Sequence, residues 1–262
     1  MRVKVGVAGA TGRMGRLIID QIIKNDYLSL VAATTSVSNN LIGTMITEHV
    51  FLHANPEELF KKSQIVIDFT RPEILEEHLN LALRYQTKLV IGTTGLTLEH
   101  KEMLVDASKK IPLLYASNTS MGITLMKSLT TQIAKILSPE FDIEIDEIHH
   151  RHKVDAPSGT SLSLGEAAAK GRGTSLKDVA CHNRHGHIGP RPTGQIGFSV
   201  RRGGSVIGDH TVSFIGEEEC LEITHKGLSR SLYAKGAVRA ARWLSDKSAG
   251  LYSMEDVLGL SK

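Results

Sequence analysis

The feature that most constrains this chain lies at its start. Val5-Gly-Val-Ala-Gly9-Ala-Thr-Gly12-Arg-Met-Gly15-Arg16 joins a β-branched run, Val3 to Ala8, to an amphipathic segment, Arg13 to Lys24, that places Met14, Leu17, Ile18 and Ile22 on one face. A glycine-rich turn between a buried strand and the start of a helix is the context that a dinucleotide site demands. Gly9 lets the chain turn sharply, Gly12 lets backbone approach a pyrophosphate, and Gly15 lets the helix pack close to the strand. The phosphates would then rest on unpaired N–H groups at the helix N-terminus. A tight turn that binds nothing is the alternative, and the strand and helix flanking it at the right distance weigh against that.

The same alternation continues. Leu28 to Thr34, Ile65 to Phe69, Lys88 to Ile91 and Pro112 to Ala116 read as strands, and Ser36 to Gly43 as a polar loop. Pro72 to Tyr85 and Leu98 to Lys110 read as helices. Strand and helix in turn predict an α/β, Rossmann-like, doubly wound parallel sheet. The register changes near Asn118. Met121 to Leu137 reads as a long helix, and Phe141 to Ile145 as a half-buried strand. A short helix is expected after Asp155 to Thr160. Ile196 to Val200, Val206 to Ile215 and Cys220 to His225 are expected as antiparallel strands, and Ser229 as the cap of a last helix that returns to the first domain. The expected organisation is a dinucleotide-binding domain over 1–120 with 230–262, and a second, α+β domain over 121–229.

Composition excludes several classes. With 262 residues, 41% hydrophobic and 23% charged, the chain has the make-up of a globular protein with a real core. A net charge of +3 and 5% aromatics offer no nucleic-acid surface, so no nucleic-acid partner is expected. No apolar run approaches spanning length, and the first residues lack the apolar stretch of a signal peptide, so no membrane partner is expected. Two cysteines, Cys181 and Cys220, make no disulfide framework. A cytoplasmic location is the expectation.

Ligands of open α/β sheets bind outside the carboxyl ends of the strands. Gly92-Thr93-Thr94-Gly95 and Ala116-Ser117-Asn118 follow two of the predicted strands, so both loops are expected to line the crevice of Gly9 to Gly15, unless they are ordinary turns. An acidic residue usually ends the second strand and holds the ribose of NAD. Here the strand ends Ala33-Thr34-Thr35-Ser36, and Arg13 stands where it could meet a 2′-phosphate, so NADH and NADPH both stay open.

Histidine is the unusual residue, with 12 copies, six of them in two short stretches: His149, His150 and His152, and His182, His185 and His187. Around the first, Glu147-Ile-His149-His150-Arg-His152-Lys153-Val-Asp155-Ala-Pro157-Ser158-Gly159-Thr160 is the densest polar run in the chain. A metal site is disfavoured, since neighbouring residues of a strand point to opposite faces. A solvated strand end is the bland alternative. The third reading is an acid/base site for an anion, with Ser158, Gly159 and Thr160 offering N–H groups at a helix start, Lys153 a charge and a histidine the proton.

The runs Gly9-Ala-Thr-Gly12-Arg-Met-Gly15, Asp68-Phe-Thr70, Gly92-Thr-Thr-Gly95, Asn118-Thr-Ser120, His149 to Thr160, Gly208-Asp-His-Thr-Val212 and Leu221-Glu-Ile-Thr-His225 together closely resemble the 4-hydroxy-tetrahydrodipicolinate reductase (dihydrodipicolinate reductase) family. The resemblance covers nearly the whole chain. The His149-to-Thr160 run is highly specific, whereas the glycine loop by itself is not. It implies NAD(P)H-dependent reduction of a small cyclic dicarboxylate, 4-hydroxy-tetrahydrodipicolinate, in diaminopimelate and lysine biosynthesis. It also implies a cytoplasmic homotetramer whose second domain binds substrate and builds the tetramer. By resemblance, His149 is the proton donor and Lys153 the second catalytic group. Substrate contacts fall on His150, Ser158, Gly159, Thr160 and Thr94. Cofactor contacts fall on Gly9, Ala10, Thr11, Gly12, Arg13 and Met14, on Gly92, Thr93 and Thr94, and on Ala116, Ser117, Asn118 and Thr119. No metal is expected. Thr11 departs from the glycine that many members carry, and Thr35-Ser36 from the acid–arginine pair that some carry. Bringing cofactor to substrate requires domain closure, for which Gly122 and Asn118-Thr-Ser120 are hinge candidates and Arg191-Pro-Thr-Gly194 a candidate lid. A redox-sensing NAD-binding regulator and a histidine-rich metal module are the rival readings.

Overall fold

The computed structural model describes residues 2–137 and 139–261. They form two units, Met1–Met121 with Arg230–Lys262, and Gly122–Ser229. In the first, β1 (Val3–Ala8) leads into α1 (Arg13–Ile23), β2 (Leu28–Thr34), β3 (Met45–Thr47), β4 (Val50–His53), α2 (Pro56–Lys62) and β5 (Ile65–Asp68). A 3-10 turn over Pro72–Ile74 precedes α3 (Leu75–Tyr85), β6 (Lys88–Ile91), α4 (Leu98–Ser108) and β7 (Pro112–Tyr115). There follow α5 (Met121–Ile136), β8 (Asp142–His149), α6 (Gly159–Gly171), α7 (Leu176–Val179), β9 (Ala180–Cys181), β10 (Ile196–Arg202), β11 (Asp209–Ile215) and β12 (Cys220–Lys226). The chain ends in α8 (Ser231–Leu244), β13 (Gly250–Tyr252) and α9 (Met254–Leu258), which are part of the first unit.

The first unit holds an eight-stranded sheet in the order β13-β7-β6-β5-β1-β2-β4-β3, parallel except for β3 against β4. Both faces are covered, which is why its strands read as continuous apolar runs. Val5, Val7, Ile65, Ile67, Val90 and Leu114 pack with Ile18 and Ile22 of α1 and Ala237, Ala241 and Leu244 of α8. Val66, Leu89, Ile91 and Leu113 face the other way, onto Leu59 and Phe60 of α2, Leu79 of α3 and Leu104 of α4. The sheet is thus doubly wound. Strand order reverses between β1 and β5, the switch point outside whose carboxyl ends ligands of open α/β sheets bind. One glycine outside the loops is indispensable there: a Cβ on Gly236 of α8 would lie 1.7 Å from the Thr119 carbonyl oxygen.

The sequence reading missed several elements of this unit. After the polar loop, β3 and β4 form a short antiparallel pair and α2 follows, capped by Asn55 accepting from the Glu57 N–H, with Pro56 in its first turn. Pro72 opens a 3-10 turn and not the helix itself. β13, three residues beside β7, is too short to read from alternation. Arg230, with no side-chain cap, takes the N-cap position of α8 that had been expected for Ser229.

The second unit is built on a five-stranded sheet, β12-β11-β8-β10-β9. The expectation of three antiparallel strands holds for β11 and β12, which pair antiparallel with each other and, for β11, with β8, and fails for β10, which runs parallel to β8 and to β9. Two helices and a long loop separate β8 from β10, and that is the length of connection a parallel crossover requires. Residues 206–208 lie outside the strands. Ile143 and Ile145 of β8 pack with Ile196, Phe198, Val212 and Phe214 against Leu164 and Ala168 of α6 and Ile123 and Met126 of α5. The proposed lid is anchored at Arg191. Its guanidinium bonds Asp142 (2.5 Å), Glu144 (3.1 Å) and the carbonyls of Ile143 (3.1 Å) and Gln195 (2.6 Å).

Candidate active site

At the switch point of the first unit, Gly9 adopts φ +70°. A Cβ on Gly15 would stand 2.2 Å from the Gly9 carbonyl oxygen, so α1 starts hard against the turn. Gly12 is the N-cap of α1, no side chain caps it, and its first turn carries no acid. By contrast α2, α4 and α9 have side-chain caps and acidic first turns. The N–H groups of Arg13, Met14 and Gly15 thus lack intrahelical acceptors, which suits a pyrophosphate. Ala10 and Thr11 shape the turn from within. The Ala10 N–H donates to the Thr34 carbonyl (2.8 Å), and the Thr11 hydroxyl lies 2.6 Å from that of Thr35 and accepts from Asn39 Nδ2 (3.1 Å). A neutral Thr11–Thr35–Asn39 network therefore occupies the end of β2, where an acid would hold a ribose.

The loops after β6 and β7 emerge at the carboxyl edge of the same sheet. Gly92 is needed because a Cβ there would strike the Phe69 ring at 2.2 Å. Thr93 is buried, and its hydroxyl has no partner. A buried hydroxyl without a partner, like a helix start without a cap, is what a site for a polar ligand leaves behind, and the residues present fit a nicotinamide dinucleotide. Thr94 and Ser117 are exposed, and Ala116 and Asn118 half-buried. Thr119 is turned inward, its hydroxyl donating to the Tyr233 carbonyl (2.8 Å), so its side chain braces α8. Beside Gly9, the chain leaves β5 over a sealed pair: Asp68 Oδ2 lies 2.6 Å from His78 Nδ1, while Oδ1 accepts from the Thr70 N–H (2.8 Å) and hydroxyl (2.5 Å). Burial alone would raise the Asp68 pKa. The bonds from His78 and Thr70 outweigh it and hold the carboxyl below its usual range.

In the second unit the chemistry gathers at the carboxyl end of β8. Residues of one parity, Ile143, Ile145, Glu147 and His149, are all buried. Along that face the strand therefore passes from apolar to polar without changing sides. Glu147 pairs across the sheet with His210 of β11, and His149 with Arg202 of β10. Glu147 Oε1 accepts from the Ser158 N–H (3.1 Å) and Arg202 Nη2 (2.8 Å), and Oε2 from the Ser161 hydroxyl (2.8 Å). His149 Nδ1 stands 3.3 Å and His210 Nε2 3.6 Å from Oε2. These donors keep Glu147 ionised, far below the usual carboxylate range, against the opposing effect of burial. Burial drives His149 the other way, down to about 4; Glu147 partly offsets this, and the charges of His210, Lys153 and Arg202 add to it.

The remaining residues fall around this cluster. The chain leaves β8 through a turn closed by the Lys153 N–H on the His150 carbonyl (3.1 Å). His150 and His152 lie in that turn and not on the strand, their rings 6.3 Å apart. Lys153 Nζ holds both oxygens of Asp155, at 2.7 and 2.8 Å. Ser158 caps α6 and is 2% exposed. The expectation that Ser158 offers its N–H to a ligand is corrected: that group is committed to Glu147, and its hydroxyl to Ser161 and His210. Gly159 and Thr160, exposed and half-buried, form the open part of the helix start. Glu147, His149 and His210 place three possible metal-ligand atoms within 4.8 Å of one another. Arg202 already supplies the counter-charge of Glu147, so a divalent ion would have to displace a guanidinium, and the set fits a metal poorly.

Glu147, Arg202 and His210 received no role from the sequence. Their signal was weak but present: reading the alternation of β8 two steps beyond Ile145 puts a carboxylate and a histidine in core-facing positions, where a charged residue needs partners.

Comparison with known proteins bears on the family and the fold of both units. The family model "Dihydrodipicolinate reductase, N-terminus" matches residues 3–119, and "Dihydrodipicolinate reductase, C-terminus" residues 122–258. A 4-hydroxy-tetrahydrodipicolinate reductase of Burkholderia lata is 47% identical over 98% of this chain and 99% of its own. One of Pseudomonas fluorescens is 46% identical over the same shares. Among solved structures, the dipicolinate-bound dihydrodipicolinate reductase from Paenisporosarcina sp. TG-14 has the same fold, with TM-score 0.79 at 24% identity over 97% of this chain and 98% of that one.

Proposed function

The chain belongs to the dihydrodipicolinate reductase family, and on that premise we propose how its residues divide the reaction. The reaction is the NAD(P)H-dependent reduction of 4-hydroxy-tetrahydrodipicolinate to tetrahydrodipicolinate, in diaminopimelate and lysine biosynthesis. Gly9 to Met14, Gly92 to Thr94 and Ala116 to Thr119 bind the dinucleotide, chiefly through the open N–H groups of α1 and the unpartnered Thr93 hydroxyl. When bound, it supplies the hydride to the ring carbon that gives up its hydroxyl. Both NADH and NADPH serve, because the neutral Thr11–Thr35–Asn39 network leaves no carboxylate to repel a 2′-phosphate.

His150, Lys153, Gly159 and Thr160 bind the substrate carboxylates. Lys153 exchanges Asp155 for a substrate carboxylate, and the helix start at Gly159 and Thr160 offers N–H groups to it. His149 gives its proton to the ring as electrons flow in. Neutral in the free enzyme, it becomes a donor only when the anionic substrate stabilises its charged form. The observation that carries this assignment is the core face of β8 ending in Glu147 and His149 beside Lys153 and the α6 N-terminus.

No metal takes part. The protein works as a homotetramer in the cytoplasm, a location supported by its two free cysteines. No helix among the described residues is long and apolar enough to cross a membrane. The test is oxidation of NADH and of NADPH with substrate generated in place by the upstream synthase from pyruvate and aspartate semialdehyde, beside light scattering of the purified protein. Synthase-dependent oxidation of both, by a particle of four chains, is expected. Oxidation of one alone would reject the dual cofactor.

A further inference from the structure

The Glu147 carboxylate is buried away from solvent, yet more donors converge on it than a simple ion pair needs. Ser158 and Ser161 from the start of α6 and Arg202 from β10 fix both of its oxygens. With its orientation set in this way, Oε2 faces Nδ1 of His149 at 3.3 Å. Both residues lie on the same buried face of β8, two positions apart, so their separation is fixed by the strand itself. At the other edge of the ring Gly208 lies close: a Cβ there would fall 2.8 Å from His149 Nε2, so only glycine keeps a side chain off that nitrogen. His210 closes the remaining side edge-on, with ring centroids 5.0 Å apart.

We infer that Glu147 is the positioning residue of the proton donor: it holds the hydrogen of neutral His149 on Nδ1, so that Nε2 is the atom that takes up and delivers the proton. A lone pair on Nδ1 would point at an anionic oxygen across 3.3 Å, whereas an N–H there is attracted to it. When Nε2 gains its proton the same carboxylate faces the imidazolium, opposing Arg202, Lys153 and His210, which all disfavour that charge. The hydrogen passes from Nε2 to the substrate ring, and the imidazole returns to its starting tautomer. Glu147 exchanges no proton at any point.

This rests on the assignment of His149 as donor, and the test separates the two. In the full-length protein labelled with nitrogen-15 in histidine, His149 is assigned by its loss in His149→Gln. Near neutral pH its resonances are expected to show hydrogen on Nδ1 and a bare Nε2; hydrogen on Nε2 overturns the inference, and needs no variant of Glu147 to do so. In Glu147→Gln, kcat is expected to fall about tenfold or more while the substrate KM and NADH binding change by less than about threefold, the usual cost of removing the partner that orients a reacting imidazole. A folded Glu147→Gln enzyme with kcat near that of the parent also overturns it. Should His149→Gln itself keep its kcat, the donor assignment fails and the role of Glu147 with it.

Discussion

Two buried carboxylates, one in each unit, each face a histidine, and they do different things. Asp68 meets His78 at 2.6 Å, and Thr70 satisfies its other oxygen. That pair is closed on every side: Asp68 is 0% and His78 3% exposed. Glu147 also has every donor it can use, but its histidine does not. His149 Nδ1 faces Oε2 at 3.3 Å but outside hydrogen-bond geometry, and burial holds the ring neutral where an ordinary histidine would be half protonated. A carboxylate that completes its histidine makes a strut, here bracing the turn after β5 beside Gly9. A carboxylate that orients its histidine without completing it leaves an imidazole that still has chemistry to do.

The comparison breaks most sharply in activity. His149→Gln and Lys153→Ala are each expected to lower kcat/KM by about a hundredfold or more, the usual contribution of a positioned acid or charge. NADH affinity, measured by fluorescence titration, should stay near that of the parent, and its loss would move either residue to a cofactor or folding role. Asp68→Asn should do the reverse: it strands His78 in the core and costs about 3–5 kcal/mol in urea unfolding. The fraction that remains folded should turn over normally. Destabilisation below about 1 kcal/mol would mean that the pair is not the strut its geometry implies.

pH sharpens the contrast further. His149 and His225 are both depressed in the native state, chiefly by burial. The unfolded chain binds those protons more readily, so native stability falls as pH drops from about 6.5 toward about 4. Asp68 acts in the same sense but in a lower window: its depressed pKa gives stability that is present above 3.8 and lost as pH falls through the lower native value. Unfolding curves from pH 8 to pH 3 should show His149→Gln flattening the upper limb alone and Asp68→Asn the lower. Coincident changes in both limbs would mean that the two sites are coupled. The smallest effect is expected from metal removal. Dialysis against a chelator should leave the NADH oxidation rate unchanged, and activity restored by added zinc would return Glu147, His149 and His210 to the role of ligands.

Much of this was legible from residue order. β1, the turn and α1 are local, and Gly9, Gly12 and Gly15 are required by backbone geometry within a dozen residues. The parallel sheet of the first unit followed from the regular alternation of strand and helix. The three-residue strands β3 and β13 carry too few residues for any period to show. The direction of β10 was decided by its crossover, which no pattern inside the strand encodes. In the His149-to-Thr160 run the residue types pointed to acid/base chemistry, but not to which groups face outward. Ser158 looked like a ligand donor until its N–H was found on Glu147.

What the sequence determined by itself is therefore everything that depends on near neighbours: the dinucleotide turn, the periodicities, and the supply of histidine, lysine and helix start in one segment. Only the tertiary structure decided how those groups are used. Arg202 and His210 reach Glu147 through the pairing of β10 and β11 with β8, across 55 residues in the first case. Burial and a fixed carboxylate set the proton affinity of His149, and both come from strands that meet only when the chain has folded.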